Sequence, residues 1–308
     1  MPTLSVIIPC YFNEQNIPVT IRELTANETL FPPEVQFEYV FVDDGSKDNT
    51  FQELLKAKEL YPDKVKVVKL AGNVGSYNAI IAGMEYATGD CSVIISADLQ
   101  DPPELMVKML SYWRQGFKLV IGSRQERDEP VLKKFLSRVF HSLMRKMAFQ
   151  NLPKGGFDYV LFDRAVREEV LKLKEGNSNV MYLMAWLGYE YVNIPYSRGR
   201  RTVGTSKWTF WKKVKLFLDS VLAFSFYPIR AISVTGLVMG LIAFLYGVFV
   251  LLAKATGQVA VEGWTALMVV LLFVSSFQMI ALGVIGEYVW RTLEASRKRP
   301  MYIVESVS

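Results

Sequence analysis

Two long runs without charge set the strongest limit on what this chain can become. Ala231 to Ala253 reads AISVTGLVMGLIAFLYGVFVLLA and holds no Asp, Glu, Lys or Arg. At about 1.5 Å per residue, a helix of that length spans the roughly 30 Å hydrocarbon core of a bilayer. Thr265 to Val289 is a second such run, and its one charge, Glu287, lies near the end. Core helices of soluble proteins seldom stay charge-free so long, so the pattern predicts two transmembrane helices, about 231–253 and 265–289. The short segment between them carries Lys254 and Glu262. Basic residues flank the pair: Lys212, Lys213, Lys215 and Arg230 before it, then Arg291, Arg297, Lys298 and Arg299. The positive-inside tendency places both chain ends in the cytoplasm and the connecting loop outside. Glu287 reads either as a functional intramembrane acid or as a side chain snorkelling to the interface.

Of the 308 residues, 51% are hydrophobic, and the mean hydropathy is +0.20. That surplus sits in the last quarter and leaves the rest for one globular domain of ordinary size. The net charge of +5 is accounted for by the basic flanks, which suit anionic lipid head groups. No nucleic-acid motif accompanies them, so membrane lipids are expected as partners and nucleic acid is not. The first apolar run, LSVIIP, is too short for a signal peptide and lacks a basic lead. Cys10 and Cys91 lie in or beside strand-like runs and read as free thiols in a reducing cytosol.

Residues 1 to about 170 alternate β-branched runs with amphipathic segments. LSVIIP predicts a strand, followed by a helix over Ile17 to Leu30. FEYVFVDDGS predicts a strand ending in a turn, then a helix from about Asn49 to Tyr61. VKVVKL is a third strand, GSYNAIIAGMEYATG a helix closed by Gly89, and CSVIISAD a fourth strand. Strand and helix in alternation predict an α/β layer fold with parallel strands, whose ligands bind at the strands' carboxyl ends. Polar residues collect there: Asn13 and Glu14, Asp43 and Asp44, Asn73 and Gly75, Asp98 and Gln100. In DPPE, Asp101 reads as a helix N-cap with proline in the first turn. GxGxxG, GxxxxGK[ST] and HExxH patterns do not occur. The sole histidine, His141, makes a His-clustered metal site impossible and reads as structural.

Four segments in order, IIPCYFNEQNI, FVDDGSKDNT, AGNVGSYNAIIAGMEYATGD and SADLQDPPE, resemble the family 2 glycosyltransferases of GT-A fold. An RxxRxxGxSK-type segment from Arg198 and the two apolar runs bring the chain nearest the polyprenyl-phosphate branch. That branch is similar to the dolichyl-phosphate mannose synthases and bactoprenol glucosyl transferases. The resemblance covers nearly the whole chain. It implies a Rossmann-like mixed sheet in a cytoplasmic GT-A domain over 1–207, a juxtamembrane amphipathic helix over 208–229, and the two spans with a short cytoplasmic tail over 230–308. In the amphipathic stretch, Trp208, Trp211, Phe217, Phe224, Phe226 and Tyr227 follow lysines, a mixture that favours the membrane interface.

The resemblance also implies roles. Pro9, Tyr11, Glu14, Asp43, Asn73, Gly75 and Asp98 would bind the nucleotide-diphosphate sugar, with Asn13, Asp44 and Ser46 beside them. Asp98 and Gln100 would hold Mg²⁺ or Mn²⁺, with Ser96 where the family has its first metal-site Asp. A divalent cation commonly uses one or two carboxylates and takes the rest from substrate phosphate and water. Asp158 would act at the reacting centre. Arg124, Arg198, Arg201, Ser206 and Lys207 would grip the phosphate of a polyprenyl acceptor, as Arg forks match phosphate oxygens and Lys acts as a point charge. The chain departs from the family pattern at three places: Gly72 and Val160, where an Arg is usual, and Ser96. The implied reaction is inverting transfer from UDP-glucose or another UDP-sugar, with GDP-mannose the alternative donor and a homo-oligomer the expected assembly. A processive polysaccharide synthase would need more spans and a QxxRW-like motif, which the chain lacks. A non-catalytic membrane scaffold is the other reading that the three departures raise.

Overall fold

The computed structural model describes residues 1–124, 157–173, 175, 178–199, 219, 221, 225, 227–256 and 263–308. Arg201, Ser206, Lys207, His141 and most of the expected amphipathic helix over 208–229 lie outside the described residues.

Eight strands form one sheet: β1 (Thr3–Cys10), β2 (Gln36–Asp43), β3 (Val65–Leu70), β4 (Cys91–Ile94), β5 (Leu119–Arg124), β6 (Tyr159–Asp163), β7 (Tyr191–Tyr196) and β8 (Val304–Val307). Their order is β7-β5-β6-β4-β1-β2-β3-β8. The four central strands expected from the alternating pattern, β3, β2, β1 and β4, pair in parallel. β6 runs antiparallel to both β4 and β5, while β5 and β7 are parallel, so the sheet is mixed, as the resemblance implies.

The helices of this part are α1 (Ile17–Asn27), α2 (Thr50–Leu60), α3 (Ser76–Tyr86), α4 (Leu105–Arg114), α5 (Arg164–Leu173) and α6 (Val180–Trp186). Strand side chains alternate between faces. Leu4, Val6 and Ile8 of β1 share one core with Ile17, Ile21 and Leu24 of α1, Leu54 of α2 and Met109 of α4. Each such side chain, fully buried, stabilises the fold by about 1.5–3 kcal/mol. On the other face α3 comes very close to the sheet. A Cβ at Gly83 would lie 2.5 Å from the Ile7 side chain and 3.1 Å from that of Val42, so only glycine allows this approach.

Several expected boundaries shift. The first helix ends at Asn27 and runs into a 3₁₀ turn, Glu28–Leu30. The fourth strand stops at Ile94, and Ser96 to Asp101 form a loop. α3 ends at Tyr86; Gly89 does not close it, and its N–H donates instead to Ser5 Oγ at 2.8 Å.

The larger correction concerns the C-terminus. Residues 290–308 do not form a tail. The second apolar helix continues to Arg297, and Val304–Val307 pairs antiparallel with β3 at the sheet edge. Val67 and Ser308 exchange backbone hydrogen bonds at 2.9 Å, Ala71 N–H donates to Ile303 O at 2.9 Å, and Lys69 Nζ lies 2.7 Å from Glu305 Oε1. An open edge is a row of unpaired backbone groups, and β8 covers it. The chain accordingly divides into two compact units, residues 1–220 with 300–308, and residues 221–299.

The second unit holds α7 (Tyr227–Ala255) and α8 (Trp264–Arg297), both longer than the apolar runs alone predict. Each is long and apolar enough to cross a membrane, with spans Pro228–Phe249 and Phe273–Arg297. Glu287 pairs with Arg291 one turn on, at 3.1 Å.

Candidate active site

The ends of β1, β2, β3 and β4 converge at one rim of the sheet, as parallel strands require. Cys10 is in register with Asp43, and Asp43 with Lys69. Pro9 is the next-to-last residue of β1, and Tyr11 and Phe12 follow that strand. Tyr11 N–H donates to Asn13 Oδ1 at 2.8 Å, and its ring meets that of Phe12 edge-on at 4.6 Å. Phe12 holds a left-handed backbone, φ 55°, and donates to Ser46 Oγ at 3.1 Å. Glu14 accepts from the Asn49 N–H at 3.0 Å, which ties the β1 loop to the start of α2.

Asp43 is fully buried. One carboxylate oxygen accepts from Ser46 N–H at 3.1 Å; the other, Oδ2, has no hydrogen-bond partner among the described residues. Burial raises its pKa above the usual carboxylate value. A buried acceptor left unmatched is costly unless a ligand donor completes it.

Asp44 has a different task from the ligand contact its position suggests. Its carboxylate accepts from Val74 N–H at 2.7 Å, Gly75 N–H at 3.1 Å and Asn73 Nδ2 at 3.0 Å. It thereby fixes the whole 73–75 loop, engaging the Asn73 amide through its nitrogen. Burial raises Asp44 to about 6, against the two backbone bonds that lower it. Between the two aspartates and this loop stands Gly45, φ +65°, where a Cβ would fall 2.6 Å from the Gly72 backbone.

The loop after β4 carries the expected metal residues. Ser96 Oγ lies 2.7 Å from Asp98 Oδ1 and 3.3 Å from Asp101 Oδ2. Leu99, between Asp98 and Gln100, is left-handed with φ 45°. Two non-glycine residues in this strained region, Phe12 and Leu99, both border the same rim, and such strain persists where surroundings or function demand it. Gln100 is paired to the chain just after β7: its carbonyl accepts from Gly199 N–H at 2.7 Å, and Nε2 donates to Gly199 O at 3.3 Å. Asp98, Ser96 and the Gln100 amide offer only hard oxygen donors, with one partly exposed carboxylate. That set fits a magnesium-class cation whose remaining ligands are phosphate and water.

A second cluster lies beside the first. Arg124, at the end of β5, places Nη2 2.5 Å from Asp158 Oδ2, just before β6. Asp101 is 2% exposed; it accepts from the Tyr196 hydroxyl, and Arg198 Nε lies 3.3 Å from its Oδ1. The expected N-cap role of Asp101 is therefore wrong. α4 starts at Leu105 after Glu104, and Asp101 turns inward. Tyr196 also hydrogen-bonds Arg124. The Tyr77 phenol of α3 is held protonated by burial and by the nearby charge of Asp158. Arg124, Asp158, Arg198, Asp98 and Gln100 are thus brought together, while Arg201, Ser206 and Lys207 fall outside the described residues. Sequence reasoning missed Tyr196 and Tyr77 altogether; the one available signal was the position of Tyr196 two residues before Arg198.

Comparison with known proteins places this arrangement. Residues 5–173 match the family described as Glycosyl transferase family 2. The uncharacterized glycosyltransferase YkcC of Bacillus subtilis (strain 168) is 36% identical over 302 residues, 98% of this chain and 93% of that one. The prophage bactoprenol glucosyl transferase homolog of Escherichia coli (strain K12) is 32% identical over 305 residues, covering 99% of both. Among solved structures, the mannosyltransferase PcManGT from Pyrobaculum calidifontis, in complex with GDP-Man and Mn²⁺, has a TM-score of 0.51 at 18% identity. It aligns with 94% of this chain and 87% of its own, and shows a shared fold. On the length and identity of these matches, the chain belongs to glycosyl transferase family 2.

Proposed function

We propose that this enzyme transfers a sugar from a nucleotide diphosphate to a polyprenyl phosphate at the cytoplasmic membrane face, with inversion at the anomeric carbon. One observation carries the reading. The carboxylate expected to face a donor diphosphate, Asp98, and the two arginines expected to face an acceptor phosphate, Arg124 and Arg198, belong to one side-chain network through Ser96, Asp101 and Tyr196. Similarity over the full length to proteins named bactoprenol glucosyl transferases supports the same acceptor class.

The charge inventory says what else the reaction needs. Asp98, Asp101 and Asp158 face Arg124 and Arg198, so these five groups sum to about −1 before any substrate binds. A diphosphate and a phosphate monoester add several more negative charges. Mg²⁺ or Mn²⁺ held by Asp98 and Gln100, with Ser96 as a neutral ligand or a holder of water, would supply Lewis-acid neutralisation of the diphosphate. Arg201 and Lys207 would add charge on the acceptor side.

A phosphate monoester, with its second pKa near 6, is largely dianionic at neutral pH and needs no strong general base. Its oxygen forms the new bond to the anomeric carbon as the bond to the nucleotide diphosphate breaks. The protein's work is alignment and charge balance while the sugar gains oxocarbenium character. Asp43, with its unmatched oxygen, would take an N–H or hydroxyl of the nucleoside, and the Asp44-bound loop would shape the donor cleft.

The membrane part of the proposal has a topological support. The chain leaves the sheet domain, passes through two apolar helices and returns to pair with β3. Two crossings would bring both ends to one side, and the basic flanks favour the cytoplasm for that side.

The test is a donor screen with purified protein, farnesyl phosphate and UDP- or GDP-sugars, with Mg²⁺, Mn²⁺ or chelator. Lipid-linked product from a UDP-sugar is expected, and loss of it with chelator. No product from any donor, with nucleotide binding intact, would favour the scaffold reading.

A further inference from the structure

Asp101 belongs to the network above with no task of its own assigned, and three side chains of the site converge on it. Its Oδ1 accepts a hydrogen bond from the Tyr196 hydroxyl and lies 3.3 Å from Arg198 Nε; its Oδ2 lies 3.3 Å from Ser96 Oγ. Tyr196 accepts from Arg124 while donating to Asp101, so Arg124, Tyr196 and Asp101 form a directional chain of hydrogen bonds. Such a chain polarises each member and strengthens the next bond. Ser96 extends it toward Asp98 at 2.7 Å.

We propose that Asp101 is a positioning residue for the transfer reaction: its buried carboxylate holds Arg124 and Arg198 together as one phosphate-binding pair and ties that pair, through Ser96, to Asp98. The proposal rests on the reading of the two arginines as acceptor-phosphate ligands.

Two guanidinium groups repel one another when no anion lies between them. A buried carboxylate touching one directly and the other through a phenol keeps both in place before the phosphate arrives. The partition of contacts suits that task. Arg198 lies beside Asp101 at ion-pair distance, Nε to Oδ1 3.3 Å, without the alignment of a hydrogen bond. Arg124 spends Nη2 on the exposed Asp158, and its Nε is buried without a hydrogen-bond partner among the described residues. The arginine at β5 therefore has a partner that solvent screens and that a phosphate can displace. Ser96 has one proton to share between Asp98 and Asp101, and its shorter contact is to Asp98, so the tie from the arginine pair to the donor side is the weaker one. Donor and acceptor sides are linked through a single hydroxyl.

The full chain is purified in detergent, and kinetics with farnesyl phosphate are measured using UDP-glucose and GDP-mannose in parallel. Asp101→Asn should raise the acceptor KM about tenfold or more and leave the donor KM within about twofold. Tyr196→Phe, which cuts only the link to Arg124, should raise the acceptor KM by a smaller factor. Calorimetric binding of UDP and GDP reports whether each variant is folded, and if Asp101→Asn is not, Tyr196→Phe decides. Equal rises in donor and acceptor KM would mean a merely structural carboxylate and would overturn the proposal. Arg198→Ala separates the two layers of the argument. If it raises the acceptor KM while Asp101→Asn and Tyr196→Phe do not, the positioning role is wrong and the arginine reading stands. If Arg198→Ala leaves the acceptor KM unchanged, the arginine reading fails and the proposal fails with it.

Discussion

Arg124 Nη2 lies 2.5 Å from Asp158 Oδ2, so the group expected to grip the acceptor phosphate and the group expected to act at the reacting centre are each other's partner. The Asp158 side chain is 53% exposed, and a pair screened to that degree contributes about 0–1 kcal/mol. It is weak enough to open when a phosphate dianion competes for the guanidinium.

Asp158→Asn should therefore lower kcat by about ten- to a hundredfold, within the range for loss of one positioned polar group. The acceptor KM should stay level or fall, because Arg124 is released for phosphate. Steady-state kinetics in both substrates checks this, and full turnover by the variant would remove Asp158 from the reaction.

Donor binding should weaken as pH falls through about 6, where Asp44 takes up a proton. Above that value the carboxylate is ionised and accepts all three N–H bonds of the 73–75 loop; below it, one oxygen becomes a donor facing donors. UDP-glucose has no group titrating between about pH 5 and 8, so its calorimetric Kd reports the protein alone. Asp44→Asn should bind weakly at every pH and lose the step; a step that survives the substitution belongs to another group, such as Asp43. The sign for stability is the opposite. The folded state holds a proton that the unfolded chain releases from about 4 upward, so ionising Asp44 costs stability as pH rises toward about 6.

Ser96→Asp should change how the site takes metal. Its carboxylate would stand beside Asp98 and Asp101, which Ser96 Oγ now meets at 2.7 and 3.3 Å. Three neighbouring carboxylates repel without a cation and bind one more tightly with it. Thermal melts should show a lower Tm with chelator than the parent protein, and a larger rise on adding Mn²⁺. Equal Mn²⁺ responses in the two proteins would place the cation elsewhere.

Deleting residues 301–308 should destabilise the sheet domain. It removes the β8 ladder, the Lys69–Glu305 pair and the contact of Tyr302 with Glu85, and opens the edge at β3. With about 1 kcal/mol for each hydrogen bond lost, the cost is a few kcal/mol. Hydrogen exchange should speed up at the amides of β3, and unchanged exchange there would make β8 dispensable.

The sheet's central strands were legible because VKVVKL and its neighbours are β-branched runs bounded by turn residues, and their ends gathered the polar residues at one rim. β8 was not. VESV is four residues whose two valines fall on opposite faces, so it carries no period-two signal, and what makes it a strand is the open edge of β3, more than two hundred residues away in sequence. Asp101 misled for a related reason. DPPE carries a strong local capping signal, but a residue before proline avoids helical backbone, and Pro102 and Pro103 push the helix start to Leu105. The partners that turn Asp101 inward, Tyr196 and Arg198, arrive from β7 and the chain after it. Arg124 and Asp158 were each readable from motifs, but their pairing depends on β5 and β6 lying side by side.

The most direct test of the central claim is ³¹P NMR of farnesyl phosphate incubated with the purified chain, UDP-glucose and Mg²⁺. The account predicts that the phosphate monoester resonance gives way to a phosphodiester as UDP appears in equal amount. Release of UDP with the monoester unchanged would mean that the sugar goes to water or another acceptor, and would contradict transfer to a polyprenyl phosphate.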